Sequence, residues 1–114
     1  MTTISTENNY LTLINVFKVD PSNQQKLVEL LTLATESSVK NITGFISSSL
    51  HRRIDGTKVT MHAQWRSMED SQNMRNNPTA LPYLEQALKI ASFEPGMYEV
   101  VKTFLPEINS PGSI

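Results

Sequence analysis

Residues 45–66 read FISSSLHRRIDGTKVTMHAQWR, and this stretch decides the fold. Asp55-Gly56 stands near its centre, and glycine takes the positive φ that a tight turn requires. The flanking runs Phe45–Arg52 and Lys58–Arg66 therefore predict two antiparallel strands joined as a hairpin. A helical pattern lies on either side. Upstream, Leu27, Leu30, Leu31 and Ala34 recur at helical spacing after an Asp20-Pro21 start and before an Asn41–Gly44 stop. Downstream, Ser67 with Asp70 fits a capping box for a short helical piece running to Asn76. Asn77-Pro78 opens a second piece with Leu81, Leu84, Leu88 and Ala91 in a stripe, its regular part confined by Pro82 to the residues after that proline. Outside these helices, Tyr10–Val19 (YLTLINVFKV) and Met97–Leu105 (MYEVVKTFL, entered through Pro95-Gly96) are rich in β-branched and aromatic residues. The order β-α-β-β-α-β predicts a ferredoxin-like α+β domain, a four-stranded antiparallel sheet with both helices on one face.

That domain spans residues 10–106, between a polar N-terminal tail at 1–9 and a C-terminal tail at 107–114. A chain of 114 residues, 39% apolar, fills one core and not two. Ten Lys and Arg against eleven Asp and Glu leave a net charge of −1, so no basic field is present to hold nucleic acid. The lack of cysteine excludes thiolate nucleophiles, iron–sulfur clusters, Cys-based zinc sites and disulfides. With no basic n-region at the start and no run long enough for a bilayer, the expectation is a soluble, cytoplasmic protein without membrane contact.

The first strand is apolar on both parities, with Leu11, Leu13 and Phe17 on one and Tyr10, Ile14 and Val16 on the other; the last repeats this with Tyr98, Val100 and Phe104 against Met97 and Val101. Two helices cover one face only. A bare second face would exceed the roughly 300–600 Å² of apolar patch that soluble monomers expose, which predicts a sheet-on-sheet homodimer.

Few residues can do chemistry. Phosphate loops, dinucleotide fingerprints, HExxH and GxSxG are all missing. His51 and His62 fall on neighbouring strands, but two histidines are fewer than the roughly three protein ligands a metal site needs. Asn15 interrupts the apolar parity of Leu11, Leu13 and Phe17. Once buried, its amide must pair with backbone, water or a ligand, so it is either a pin for the strand or a ligand contact. Trp65, the single tryptophan, is by itself a core residue; beside Asn15 on a neighbouring strand it becomes a flat wall with one N–H donor. His51 can titrate near neutrality and serve as a base. A two-residue turn pairs residue 51 with 60 and puts His51 on the face opposite Trp65, whereas a three-residue turn puts both on one face. Ile46 and Leu50 favour the first arrangement. Ser47, Ser48 and Ser49 leave room for a cavity or mark an edge strand, and Arg52-Arg53 reads as a solvated pair near the turn.

The segments FKVDPSNQQKLVEL and FISSSLHRRIDGTKV, and above all AQWRS leading into a helix, resemble the antibiotic biosynthesis monooxygenase family of dimeric α+β barrels. The resemblance runs from Tyr10 to Pro106 and is greatest to the cofactor-independent oxygenases of aromatic polyketide pathways. It implies oxidation of an anthrone-type substrate by O₂ to a quinone with no cofactor. It also implies catalytic residues: Asn15 stabilises an enolate or peroxide, Trp65 stacks and donates, and His51, which matches a histidine of some relatives, assists deprotonation. Some relatives carry an Asn where this chain has Met61 and a Tyr where it has Ser71, so those two roles do not transfer. Two alternatives remain: a non-catalytic dimeric module binding a small aromatic metabolite, and a haem-binding relative. Haem-degrading members take their iron ligand from a histidine in the second helical region, and residues 67–92 contain none.

Overall fold

The computed structural model describes residues 10–107; the expected tails at 1–9 and beyond 107 lie outside them. Its elements are β1 (Leu11–Val19), α1 (Gln24–Ser37), β2 (Phe45–Arg52), β3 (Lys58–Trp65), α2 (Met68–Arg75), α3 (Leu81–Ile90), β4 (Ala91–Glu94) and β5 (Met97–Glu99). The antiparallel sheet runs β2-β3-β1-β4, with β5 also on β1, the strand order of the ferredoxin-like α+β arrangement.

Local chemistry explains the boundaries. Asp20 accepts the Ser22 amide at 2.9 Å and Pro21 begins a single 3₁₀ turn, after which α1 starts at Gln24. The Gln24 side chain donates to the carbonyls of Arg53 and Lys58 at 2.9 and 3.0 Å, tying the start of α1 to the hairpin turn. Ser67 caps α2 by accepting the Asp70 amide at 3.1 Å. Asn77 accepts the Thr79 and Ala80 amides at 2.9 and 3.2 Å, and Pro82 is tolerated in the first turn of α3, where no helical hydrogen bond needs its missing N–H. At Gly44 the backbone has φ +89° and an added Cβ would overlap the Asp70 carboxylate, so glycine is required where the chain enters β2.

In the β1–β3 register Leu11 opposes Trp65, Leu13 Ala63, Asn15 Met61 and Phe17 Val59. This row faces the helices and forms two apolar clusters. Phe17, Val19 and Val59 pack with Leu27, Leu30 and Leu31 of α1 and Ala87 of α3; Leu13, Ala63 and Trp65 pack with Phe45, Val39 and Met74. Phe17 stacks on Phe93 at a centroid distance of 4.8 Å, and Phe45 meets Trp65 edge to face at 5.4 Å. Such pairs add about 0.5–1.5 kcal/mol each beyond burial.

Two expectations are corrected. The last strand is not a continuous Met97–Leu105. It begins at Ala91 directly after α3, breaks at Pro95-Gly96, resumes for three residues and leaves 100–107 outside the sheet. Proline lacks the N–H that a ladder needs, yet the Gly96 carbonyl still accepts the Ile14 amide at 2.9 Å, so the break keeps the edge of β1 covered. Nor is the second face uniformly apolar. Ile14, Val16 and Tyr98 share it with Thr12, Thr60, His62, Gln64, Ser47, Ser49 and His51, because the hairpin contributes polar side chains there. Large exposed apolar side chains gather instead at Phe93, Met97, Tyr98, Val101, Phe104 and Leu105, along the β4–β5 edge and the segment after it.

Candidate active site

Asn15 lies between Leu13 and Phe17 on the inward row of β1, and it is the one polar residue in that row. The two apolar clusters separate at this point, one holding Leu13 and the other Phe17. A cavity of about 60 Å³ occupies the gap. Leu13, Phe17, Met61, Ala63 and Trp65 form its sheet wall and Leu31, Ala34, Thr35, Met74 and Leu84 its helical wall. Space opens because three small residues from three elements, Ala34, Ser48 and Ala63, line the same volume; Ser48 and Ala63 are direct cross-strand partners.

None of the residues lining this chamber is an acid, a base or a histidine. The residues on its wall that carry polar side-chain groups are Asn15, Ser48, Thr35 and Trp65. Thr35 donates to the Leu31 carbonyl at 2.9 Å. The Asn15 Oδ1 is buried and has no hydrogen-bond partner among the described residues, a state that costs about 1–3 kcal/mol unless something binds there. Trp65 is 1% exposed and presents its ring as part of the wall. The structure thus brings Asn15 and Trp65 to one chamber.

His51 is not brought there. It pairs with Thr60, the arrangement favoured by Ile46 and Leu50, and so lies on the sheet face opposite Trp65, exposed and hydrogen-bonded to the Ser49 hydroxyl at 2.8 Å. The turn is wider than a two-residue loop but keeps that register, because the Arg53 amide bonds to the Lys58 carbonyl and the Gly56 amide to the Arg53 carbonyl. Arg52 donates to Gln25 at 3.0 Å and Arg53 pairs with Asp55 at 3.0 Å, both at the surface and away from the chamber. Ala34, Met74 and Leu84 escaped sequence reasoning. Ala34 and Leu84 read as ordinary members of apolar stripes, and which stripe residues border a void is decided only by tertiary packing. Among the described residues no group of three or more His, Asp or Glu side chains is placed to hold a metal ion, and no helix is long and apolar enough to cross a membrane.

Residues 10–86 match the family described as antibiotic biosynthesis monooxygenase. The chain belongs to this family. It is 35% identical over 104 residues to tetracenomycin-F1 monooxygenase of Streptomyces glaucescens, covering 91% of this chain and 93% of the relative. Among solved structures it resembles a monooxygenase of Streptomyces coelicolor from the gene ActVA-Orf6, in complex with nanaomycin D. That likeness has a TM-score of 0.77 and 26% identity over 89% of this chain and 96% of that one. The fold is shared with SnoaB, a cofactor-independent oxygenase of Streptomyces nogalater, with a TM-score of 0.66 and 19% identity over 87% of this chain and 99% of that one. The protein is a monooxygenase of this family.

Proposed function

We propose that the protein oxidises a flat polycyclic phenol of the anthrone or hydroquinone type with O₂ to the quinone, using no flavin, haem or metal. The observation that carries this reading is the buried Asn15 Oδ1, an acceptor without a partner in a mostly apolar chamber that Trp65 also lines. Ground-state O₂ accepts electrons singly, and a cofactor ordinarily delivers them; an anthrone enolate is electron-rich enough to do so itself. The protein then has to hold the ring flat, favour the enolate and exclude competing water. Trp65 and Phe17 supply walls; Asn15 Oδ1 accepts from a hydroxyl of the substrate, and its Nδ2–H donates to the oxygen on which negative charge develops.

With no titratable group on the chamber wall, the first proton passes to solvent; a neighbouring opening lined by Thr32, Thr35, Glu36, Ser48, Leu50 and Met61 shares Thr35, Ser48 and Met61 with the chamber. The enolate transfers one electron to O₂, and the resulting radical pair combines through a new C–O bond to a peroxide. The peroxide takes a proton back from solvent, and cleavage of its O–O bond with loss of the second C–H proton leaves one oxygen atom as the new carbonyl and releases the other as water. His51 has no part in this scheme. Similarity to tetracenomycin-F1 monooxygenase supports the oxygenase class, and nanaomycin D in the Streptomyces coelicolor protein supports an aromatic ligand.

The same reading has two copies of the cytoplasmic protein associating through their open sheet faces. Ile14, Val16 and Tyr98 supply apolar contact there. Val101, Phe104 and Leu105, 80%, 83% and 82% exposed, add surface that a second copy would cover.

Oxygen uptake with anthrone, compared between the unaltered protein, Asn15→Ala and Trp65→Phe, tests the assignment. Both variants should be slower, and equal rates in all three would remove the site. Stabilisation by anthrone without oxygen uptake would identify a binding module instead.

A further inference from the structure

The inward row of β2 carries a hydroxyl beside apolar neighbours. Ser48 stands opposite Ala63 and one alternate position from Leu50, and it lines both the chamber and a second cavity of about 170 Å³ between α1 and β2. Thr35 and Met61 also border both volumes, so the two meet along a shared wall. The second cavity differs in character. Thr32, Thr35 and Ser48 bring hydroxyls to its lining and Glu36 a carboxylate, partners that suit water, and the volume has room for several molecules. The three hydroxyls are not equivalent. Thr32 donates to the Val28 carbonyl at 2.7 Å and Thr35 to the Leu31 carbonyl at 2.9 Å, which leaves each only lone pairs to offer a water. Ser48 sits on a strand, and among the described residues its hydroxyl engages no partner. It can accept one hydrogen bond while donating another. Glu36 is tied to Lys40 at 2.9 Å and marks the outer, solvated end.

We propose that this second cavity is the water path by which the chamber loses its proton, and that Ser48 is the positioning residue that holds its innermost water against the substrate. Two strand spacings, about 9.5 Å, separate β1 from β2. An anthrone suits that gap. The carbon that loses the proton stands across the central ring from the carbonyl oxygen, so with the oxygen at Asn15 the C–H bond is directed to the β2 side. The water held by Ser48 takes the C–H proton and passes one of its own outward along the cavity to solvent. The electron pair of the broken bond stays on the ring as the enolate. The same path brings back the proton that the peroxide takes up.

This inference rests on the oxygenase reading of the chamber, and its test separates the two. Anthrone is held with the protein in deuterium oxide under nitrogen, where no oxidation follows, and deuterium entering its methylene carbon is measured by mass spectrometry against the spontaneous rate. The unaltered protein should accelerate this exchange. Ser48→Ala and Ser48→Val should lower the acceleration about tenfold or more, while anthrone affinity, read by quenching of the single tryptophan, stays within about twofold. Ser48→Thr, which matches valine in shape and keeps a hydroxyl, should retain most of the exchange. Equal exchange in Ser48→Ala and the unaltered protein overturns the water path, and continued oxygen uptake in air then leaves the oxygenase reading standing. Losses as large in Ser48→Thr as in Ser48→Val make residue 48 a matter of packing and also overturn it. Exchange that depends on the Ser48 hydroxyl in a protein that consumes no oxygen upholds the path and overturns the oxygenase reading. Absence of both exchange and oxygen uptake overturns both.

Discussion

Replacing Asn15 by leucine should stabilise the fold and slow turnover in the same protein. The Asn15 Oδ1 is buried without a partner at the point where the Leu13 and Phe17 clusters separate, beside a cavity of about 60 Å³. Removing an unsatisfied buried acceptor returns about 1–3 kcal/mol. Leucine has room to extend into the cavity, so overpacking does not offset that gain. For a domain near one hundred residues, each kcal/mol moves the melting temperature by about 4–8 °C, so Asn15→Leu should melt at least about 4 °C higher. On the proposed mechanism, loss of the Asn15 amide should lower kcat by about 10²–10³, the usual cost of removing one such donor. Thermal unfolding followed by circular dichroism and oxygen uptake with anthrone read the two effects. A variant that melts lower and turns over at the original rate would make Asn15 a structural pin, and the reasoning would fail.

Other outcomes rest on the same geometry. Trp65→Ala, which empties a fully buried site, should cost about 3–5 kcal/mol in urea unfolding, whereas Trp65→Phe, which keeps a flat wall without the N–H, should lose more in kcat than in stability. His51→Ala should leave oxygen uptake within about twofold, since surface changes away from a site are usually small; a larger loss would require His51 to reach the chamber from the opposite face. The Asp20 carboxyl is held below its ordinary range by the Ser22 hydroxyl and amide, and that of Asp55 by the Thr57 hydroxyl and amide. A carboxyl lowered in the folded state contributes stability that is present above its unfolded value, about 3.9, and is lost as pH falls through the folded value. The paired variant Asp20→Asn, Asp55→Asn should therefore narrow the difference in urea midpoint between pH 7 and pH 3, and an unchanged difference would contradict these pairings.

Much of this was legible in the residues because the signals are local. Asp20, Ser67 and Asn77 act as caps through their own side chains, and the inward row of β1 follows from strict alternation. The pairing of His51 with Thr60 was likewise available, since Ile46 and Leu50 compete for the covered face. The hidden features depend on several elements at once. Ala91 suits the apolar stripe of α3 as well as an edge strand, and pairing with Val19 decides for the strand. The open face looked apolar from β1 and the last strand alone; Ser47, Ser49, Thr60 and Gln64 alter it only once the register places them there. The chamber arises where Ala34, Ser48 and Ala63 converge, and none of the three stands out in its own segment.

The most direct measurement is the fate of isotopically labelled oxygen. Protein passed over a chelating resin, shown spectroscopically to carry neither flavin nor haem, is mixed with anthrone under ¹⁸O₂, and the quinone is analysed by mass spectrometry. The account predicts one labelled oxygen atom per quinone, formed at a rate that depends on Asn15. Unlabelled quinone, or no quinone above the spontaneous rate, would contradict it.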